Sequence, residues 1–210
     1  MAQAIAAEPL CGGRGKNIAV RLCRHRTDLP AGYPRAERVL EQRYANGALS
    51  LAAFKGRNRG NNDGGELTGF LWLTFDAYQE DEVRARYILV SADSSWDFDV
   101  WVAPQERFGP SFGRLWDEAN RLLRARAVRW SCSRISAFNG ASLRAHARFG
   151  TVRLGTATFL CCGRWQWMFA TLAPYVHLSH RASSFPRLVF DTSRLCPSSS
   201  LEPACDISTK

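Results

Sequence analysis

The chain has 210 residues, which is enough for one domain with a sizeable hydrophobic core, and its formal net charge is +9. A basic balance suits phosphate-bearing partners. However, lysine occurs only three times and arginine supplies the rest, a skew that codon usage alone can produce. The most apolar later stretch, residues 156–175, contains Arg164 and Gln166, which excludes a membrane-spanning helix there.

Seven cysteines occur without the regular spacing of a disulfide framework, so we expect a reducing compartment. The first ten residues lack the basic start of a signal peptide, and the predicted location is therefore cytoplasmic, with no membrane partner. A zinc site made of His177, His180, Cys196 and Cys205 would lack a paired cysteine knuckle, and we expect no metal.

The domain organisation is predicted from changes in composition. Residues 1–16 are small and glycine-rich and are predicted to be a flexible N-terminal tail, whereas residues 179–210 are predicted to be a poorly ordered Ser/Pro/Arg-rich tail. Between them, residues 17–178 form the predicted domain. Its periodicity predicts strands at 17–23, 49–54, 67–75, 87–90, 96–102 and 128–135, helices at 35–44 and 111–126, a flexible loop at 55–66, and a closing hairpin of residues 151–162 and 164–169.

Two details of these elements bear on function. The strand at 96–102 alternates, and its predicted faces are Trp96, Phe98, Val100 and Val102 on one side and Asp97, Asp99 and Trp101 on the other. In the closing hairpin, Cys161 and Cys162 are predicted to pack in the core rather than to carry chemistry.

A second group of carboxylates, Glu80, Asp81 and Glu82, lies in the connection between two predicted strands. At a sheet edge such groups can bind a cationic amine or act as a general base. They can equally form a solvated turn, and the sequence leaves both interpretations open.

The strand at 96–102 is followed by a glycine-containing loop, residues 105–113, and then by the amphipathic helix. The first N–H groups of a helix lack intrahelical partners, and the helix dipole favours negative charge there. A strand, a loop and a helix in this order are therefore a candidate phosphate site.

The segment 139–155 contains Asn139, Ser142, His146 and Gly150, with the last three at offsets of 3, 7 and 11 from the first. This spacing resembles the last conserved segment of the GNAT acyltransferase superfamily. Many members of that family carry Tyr where His146 stands.

The preceding strand and loop resemble the same family. Val102-Ala103-Pro104 and a helix starting near Gly113 stand where the family has a strand, a pyrophosphate-binding loop and a helix. In the loop, Phe108 occupies the family's Gln/Arg place and Ser111 occupies the place of its middle glycine.

The resemblance implies an α/β (α+β) fold with a mixed, strongly twisted sheet of about six to seven strands flanked by helices. It also implies that acetyl-CoA, or another acyl-CoA, donates its acyl group to a primary amine in a ternary complex. A backbone N–H near Val100 to Val102 would stabilise the oxyanion. The residues that the resemblance places against the cofactor are Val100, Trp101, Val102, Arg107, Phe108, Gly109, Ser111, Phe112, Gly113, Asn139 and Ser142.

Deprotonating the attacking amine requires a base or a water chain, and the candidate bases are Asp97 and Asp99, with Glu82 as a group that binds the amine. An exposed carboxylate with a pKa near 4 is a weak base at neutral pH, so desolvation would have to raise that pKa. His146 could protonate the departing CoA thiolate, or it could make a hydrogen bond within the fold. Asn139 could hold the pantetheine arm or fix the turn before its helix.

Two other classes of protein stay open. A catalytically silent acyl-CoA-binding or scaffold protein would share the fold without the turnover. An arginine-rich nucleic-acid module would use exposed aromatics such as Trp96, Trp101 or Trp130, but these alternate into the predicted sheet, and we see no groove-reading helix.

Overall fold

The computed structural model describes residues 1–56, 65–148, 150–181 and 183–195. No helix in these ranges is long and apolar enough to cross a membrane. The helices are α1 (Glu37–Ala45), α2 (Ser111–Ala125) and α3 (Gly140–Ala147). The strands are β1 (Ala2–Ala4), β2 (Ile18–Cys23), β3 (Leu49–Lys55), β4 (Glu66–Thr74), β5 (Ala77–Gln79), β6 (Arg86–Leu89), β7 (Ser94–Val102), β8 (Trp130–Cys132), β9 (Ala157–Cys162), β10 (Trp165–Ala170), β11 (Val176–Ser179) and β12 (Arg187–Phe190).

Six strands form a central sheet in the order β1-β8-β7-β4-β3-β2. The strands β2, β3, β4 and β7 pair antiparallel, as do β1 and β8. By contrast, β7 and β8 are parallel, because α2 carries the chain back between them. This mixed sheet with flanking helices confirms the predicted fold class.

The face of the central sheet under α2 is aliphatic. Leu115, Ala119 and Leu123 recur at helical spacing along α2 and are fully buried against Leu51 and Leu71 of the sheet. The predicted amphipathic helix therefore packs with its apolar stripe on the core.

The opposite face of the sheet carries a layer of aromatic side chains. Tyr33 stacks on Phe70 with ring centroids 4.5 Å apart, and Phe70 stacks on Trp101 at 5.3 Å. The indole N–H of Trp72 donates to the Tyr33 hydroxyl at 3.0 Å, so two buried polar groups satisfy each other. The candidate site lies against this layer.

The N-terminal segment belongs to the sheet, in contrast to the flexible tail that its composition predicts. Strand β1 pairs with β8 and buries Ala2 completely. Further along, the Leu10 N–H donates to Asp117 Oδ1 at 2.5 Å, and Cys11 is buried beside the first turn of α2. A three-residue strand has no periodic signal, and it forms here because β8 offers it an edge to pair with.

The C-terminal part forms two smaller sheets, β11-β10-β9 and β12-β6-β5. The predicted hairpin is present as β9 and β10, and it turns at Gly163. Strand β11 pairs with β10, and the resulting three-stranded sheet is separate from the central sheet. Cys161 and Cys162 are exposed, so their predicted core packing is wrong. Part of the predicted C-terminal tail forms β12, which pairs parallel with β6. Residues 196–210, and most of the predicted loop at 55–66, lie outside the described residues.

Gly113→Ala tests the packing of the N-terminal segment on α2. A Cβ at Gly113 would stand 2.6 Å from Cys11 Sγ, so overpacking should lower the free energy of unfolding by about 1–3 kcal/mol. In a Cys11→Ala background the same change should cost less, or stabilise, because alanine favours a helix over glycine by roughly 1 kcal/mol. Urea unfolding of the four proteins measures this coupling, and strictly additive effects would contradict the contact.

Candidate active site

The strands β7 and β8 form a fork. Residues 94–96 of β7 pair with β8. Beyond them β7 continues to Val102, whereas β8 ends at Cys132 and the segment that begins with Ser133 leaves the sheet. Beyond Trp96, the side of β7 that faces β8 has no strand paired with it among the described residues.

One backbone donor of β7 faces the open side of the fork. The Ala103 N–H donates to the Thr68 carbonyl on the β4 side at 2.9 Å. Because successive residues of an antiparallel strand direct their N–H groups to opposite sides, the N–H of Val102 points away from β4. Val102, one of the predicted oxyanion donors, therefore has this orientation.

A bulge interrupts β7 inside the fork. Two residues, Asp99 and Val100, stand where β4 has only Leu71, and Asp99 takes a φ of +48°. As a result Trp101 lies on the same face as Phe98, whereas Val100 packs on the α2 face. The predicted alternation is wrong beyond Phe98, since one extra residue reverses the facing of every later side chain.

A cavity of about 420 Å³ opens at the fork on the aromatic face of the sheet. It is lined by three guanidinium groups, five carboxylates and four apolar or aromatic side chains. These residues are Arg35, Val39, Arg43, Tyr78, Glu80, Asp81, Glu82, Trp96, Asp97, Phe98, Asp99 and Arg134. Of the predicted site residues, Asp97, Asp99 and Glu82 line this cavity together.

Asp99 is held as an ionised group by two arginines. Arg43 Nη1 donates to Asp99 Oδ2 at 2.5 Å, and the Arg35 guanidinium binds both carboxylate oxygens of Asp99. Burial by itself would raise the pKa of Asp99, but the hydrogen bonds and charges of Arg35 and Arg43 outweigh it and leave that pKa below its ordinary value. A carboxylate held this way is a poor proton acceptor, and its predicted role as a base is not favoured.

Asp97 has the opposite environment, although it lies only two residues away. It is 2% exposed, and burial raises its pKa to about 6, an effect that the hydrogen bond from Ser131, the charge of the N-terminal ammonium and the neighbouring Ser133 oppose in part. The Ser131 hydroxyl donates to Asp97 Oδ1 at 2.6 Å, and the Ser95 hydroxyl donates to Ser131 in turn. A carboxyl with a pKa near 6 is suited to proton transfer at neutral pH. The two predicted bases thus differ in environment, and Asp97 is the stronger candidate.

Glu82 lies on the rim of the cavity, where Arg134 bridges two carboxylates. Arg134 Nη1 is 2.8 Å from Glu82 Oε2 and 3.0 Å from Glu80 Oε2. The carboxylates of the acidic turn are therefore not simply solvated, because Arg134, which follows β8, forms ion pairs with two of them. Sequence patterns did not single out Arg35, Arg43 or Arg134, since their partners are 38 to 64 residues away in the chain.

His146 and Asn139 lie outside this cavity. The Asn139 side chain accepts a hydrogen bond from the Ser142 N–H at 3.1 Å and so caps α3, which is the structural role left open for it. The His146 ring is 6% exposed and packs edge-on against Trp116 of α2, with ring centroids 6.2 Å apart. Burial lowers the pKa of His146, and the N-terminal ammonium lowers it further.

The predicted phosphate loop contains a buried carboxylate. Glu106 is 8% exposed, it pairs with Lys55 Nζ at 2.6 Å, and it accepts a hydrogen bond from the Ser111 hydroxyl at 3.3 Å. The hydrogen bond from Lys55 lowers the pKa of Glu106, so the carboxylate is ionised at the start of α2.

The other predicted cofactor residues of this loop divide into two groups. Arg107, Phe108 and Gly109 are exposed at its tip. By contrast Gly113 lies against Cys11, and Phe112 packs on the core under α2. The tip and the first N–H groups of α2 are the parts that can reach an anion.

A metal centre is not indicated by the described residues. Within the four described ranges, no group of three His, Cys, Asp or Glu side chains could hold an ion. Cys196 and Cys205 of the zinc set considered above lie outside those ranges.

No family model matches the chain, and no curated protein matches it at a significant level. Solved structures do resemble it. An acetyltransferase of Trypanosoma brucei has 13% identity and a TM-score of 0.45, over 69% of this chain and 99% of that one. AAC(6')-Iy, solved with the bisubstrate analogue CoA-S-monomethyl-acetylneamine, has 18% identity and a TM-score of 0.45, over 69% and 97%.

An aminoglycoside acetyltransferase from an uncultured soil metagenomic sample has 16% identity and a TM-score of 0.42, over 69% of this chain and 97% of that one. These three solved structures are acetyltransferases by name. At these identities and TM-scores the likeness extends to the outline of the fold and to nothing finer.

Asp97→Asn should change how stability depends on pH. The folded-state pKa of Asp97 is raised from 3.8 to about 6, so its contribution to stability is complete below about pH 4 and is lost as the pH rises to about 6. Relative to the variant, the wild type should lose on the order of 3 kcal/mol of unfolding free energy over this window, at 1.36 kcal/mol per pKa unit. Urea unfolding at a series of pH values measures the difference.

Asp191→Asn is the matched control, because hydrogen bonds from Ser193 lower the pKa of that exposed carboxylate. The wild type should show no fall in stability relative to this variant as the pH rises. A pH-independent difference between wild type and Asp97→Asn would contradict the raised pKa.

Proposed function

We propose that the chain is an acyl-CoA-dependent N-acyltransferase that transfers acetyl from acetyl-CoA to a cationic primary amine bound in the cavity at the fork. The observation that carries this proposal is the position of Asp97, a buried carboxyl with a pKa near 6 beside a carboxylate-rich cavity. Perturbed carboxyls in a cleft are frequent at catalytic sites, because proton transfer requires a pKa matched to the working pH.

The charge of the cavity favours an ammonium group as the acceptor. Five carboxylates face three guanidinium groups, so the lining is negative when all of them are ionised. The volume of about 420 Å³ suits a small ligand or one end of a larger molecule. An alkylammonium ion would be attracted by the rim carboxylates, and Arg134 would have to share Glu80 and Glu82 with it.

Asp97 would take the proton that the ammonium must lose before it can attack a thioester. Because the carboxyl is nearly inaccessible, we assign the transfer to a relay through the Ser133 hydroxyl, which helps to lower the pKa of Asp97 and directly precedes Arg134 of the cavity lining. The Ser95–Ser131 pair supports the carboxylate from the other side. Asp99 would keep Arg35 and Arg43 in place, a positioning role.

The acyl donor would lie along the open edge of β7. The N–H of Val102 faces that edge and would stabilise the oxyanion as it forms, the largest electrostatic contribution in acyl transfer. Unpaired backbone groups of β7 would also bind the amides of the pantetheine arm, as a strand edge binds an extended ligand. The remaining contribution is positioning of amine and thioester in one complex.

The phosphates of the donor would lie at the tip of the loop before α2. The N–H groups of the first turn and the Arg107 guanidinium are the positive groups there. Glu106 opposes an anion in this place, but Lys55 neutralises it at 2.6 Å. We therefore expect acetyl-CoA to bind more weakly in a Lys55→Ala variant, in which the Glu106 carboxylate has lost its cation.

The proposal is tested by thiol release from acetyl-CoA with a panel of acceptors that carry one, two or three amines, and with matching alcohols. Amines should be acetylated and alcohols should not. Asp97→Asn should lower kcat by about 10²- to 10⁴-fold, the usual contribution of a positioned base. Glu118→Gln is the control, because that carboxylate pairs with Arg121 on the exposed side of α2.

Two results would contradict the proposal. Equal kcat values for wild type and Asp97→Asn would remove Asp97 from the chemistry. Acetyl-CoA binding without turnover for any amine would instead indicate the silent acyl-CoA-binding protein, and a nucleic-acid oligomer that raises Tm when acyl-CoA does not would indicate the third class.

His146→Ala should affect stability more than turnover. The ring is buried against Trp116, and its lowered pKa keeps it neutral at pH 7, so it is a poor proton donor to the thiolate. A thiol has an ordinary pKa near 8.5, and its thiolate can leave without an acid. We expect kcat to change by less than about 10-fold while Tm falls, whereas a loss of about 10²-fold in kcat with unchanged Tm would establish His146 as the acid.

A further inference from the structure

The sheet β11-β10-β9 has one face whose strand positions carry no Asp, Glu, Lys or Arg, and the guanidinium of Arg164, from the turn between β9 and β10, lies 5.8 Å from the Trp165 ring at one end of it. Alternation from the strand register places nine side chains on it. They are Thr158, Leu160 and Cys162 of β9, Trp165, Trp167 and Phe169 of β10, and Val176, Leu178 and the adjoining His180 of the β11 side. We call this set the outer face.

The outer face is exposed, whereas its reverse side packs on the domain. Trp165 and Trp167 are each 37% exposed, Phe169 is 47% and Leu160 is 55% exposed. On the reverse side Gln166 and Met168 are buried, and Gln166 Nε2 donates to the Arg84 carbonyl at 2.7 Å. The sheet is therefore anchored on one side and presents tryptophans on the other, an arrangement that marks interaction sites.

We propose that the outer face binds the same face of a second copy of this chain. Its six large apolar side chains expose roughly 500 Å² per copy, taking about 150–250 Å² for a whole side chain. Two copies would then bury about 1,000 Å², which reaches the size of a specific interface. Trp167 lies at the centre of the middle strand, with Leu160 and Leu178 opposite it on the two neighbouring strands. A two-fold axis near Trp167 would pair the two halves of the face.

The charge distribution also favours a second copy over a charged partner. The chain carries a net charge of +9, and the centre of the outer face around Trp167 carries no Lys or Arg at its strand positions, so two such chains can meet there with Arg164 at the edge of the contact. Two sheets can pack face to face at about 10 Å with interdigitated side chains, as in a sandwich. Association should therefore strengthen with salt, since salt screens the repulsion and leaves the apolar contact intact.

Sedimentation velocity from about 1 to 100 µM tests the proposal. Wild type should dimerise in this range, more strongly at about 0.5 M than at 0.05 M salt. Trp167→Lys should raise the dimer dissociation constant at least about 10-fold, because it places two cations at the axis. Val189→Lys is the matched control: Val189 is 47% exposed on the other small sheet, and this variant should dimerise like wild type. Leu160→Lys is a second test variant if Trp167→Lys does not show the wild-type circular dichroism spectrum.

A monomeric wild type at 100 µM and high salt would overturn the proposal. Equal dissociation constants for wild type, Trp167→Lys and Leu160→Lys would overturn it as well, because the dimer would then use another surface. Vesicles that contain about 30% anionic lipid test the alternative occupant, because a lipid surface would also bind exposed tryptophans on a basic chain. Binding to vesicles that is lost with salt, without a dimer, would show that the occupant is lipid.

Discussion

The site depends on the burial of one carboxyl group at the point where β8 leaves β7. Asp97 is kept from solvent by the paired part of the fork, and the serine hydroxyls around it compensate its charge only in part, so its pKa stays near 6. Such a carboxyl lowers the free energy of unfolding at neutral pH, because it ionises more easily in the unfolded chain than in the folded protein. Such a cost is typical of residues retained for chemistry rather than for stability.

The bulge at Asp99 separates the roles of two neighbouring acids. Without the extra residue, Asp97 and Asp99 would share one face and one environment. With it, Asp99 turns to Arg35 and Arg43 from the side of α1, while Asp97 stays among the serines. The arginines in turn fix α1 over the cavity, so the same ion pairs that lower the pKa of Asp99 also shape the place where an acceptor would bind.

Sequence patterns predicted the elements with a clear period, and they failed where pairing across the chain decides the outcome. The stripe of α2 and the apolar runs of β3 and β4 are close to their observed bounds, because burial of one face or of a whole strand leaves a periodic or continuous signal. Strand β1 has three residues and no period, and its place depends on the edge of β8. The bulge in β7 leaves no mark in the composition of that strand. The arginines of the cavity pair with carboxylates that are far away in the sequence, which a local pattern does not reveal. The two carboxylates and Glu82 were therefore predictable as candidates, but their different environments were not.

The most direct measurement is a carboxyl ¹³C NMR titration of aspartate-labelled protein and of its Asp97→Asn variant, without ligands and with acetyl-CoA plus a primary amine. We predict one resonance with a pKa of about 6 that is absent from the variant, and we predict that bound amine shifts it. A titration in which every aspartate has a pKa below about 4.5, or a resonance near 6 that neither ligand moves, would contradict the assignment of the fork as the transfer site.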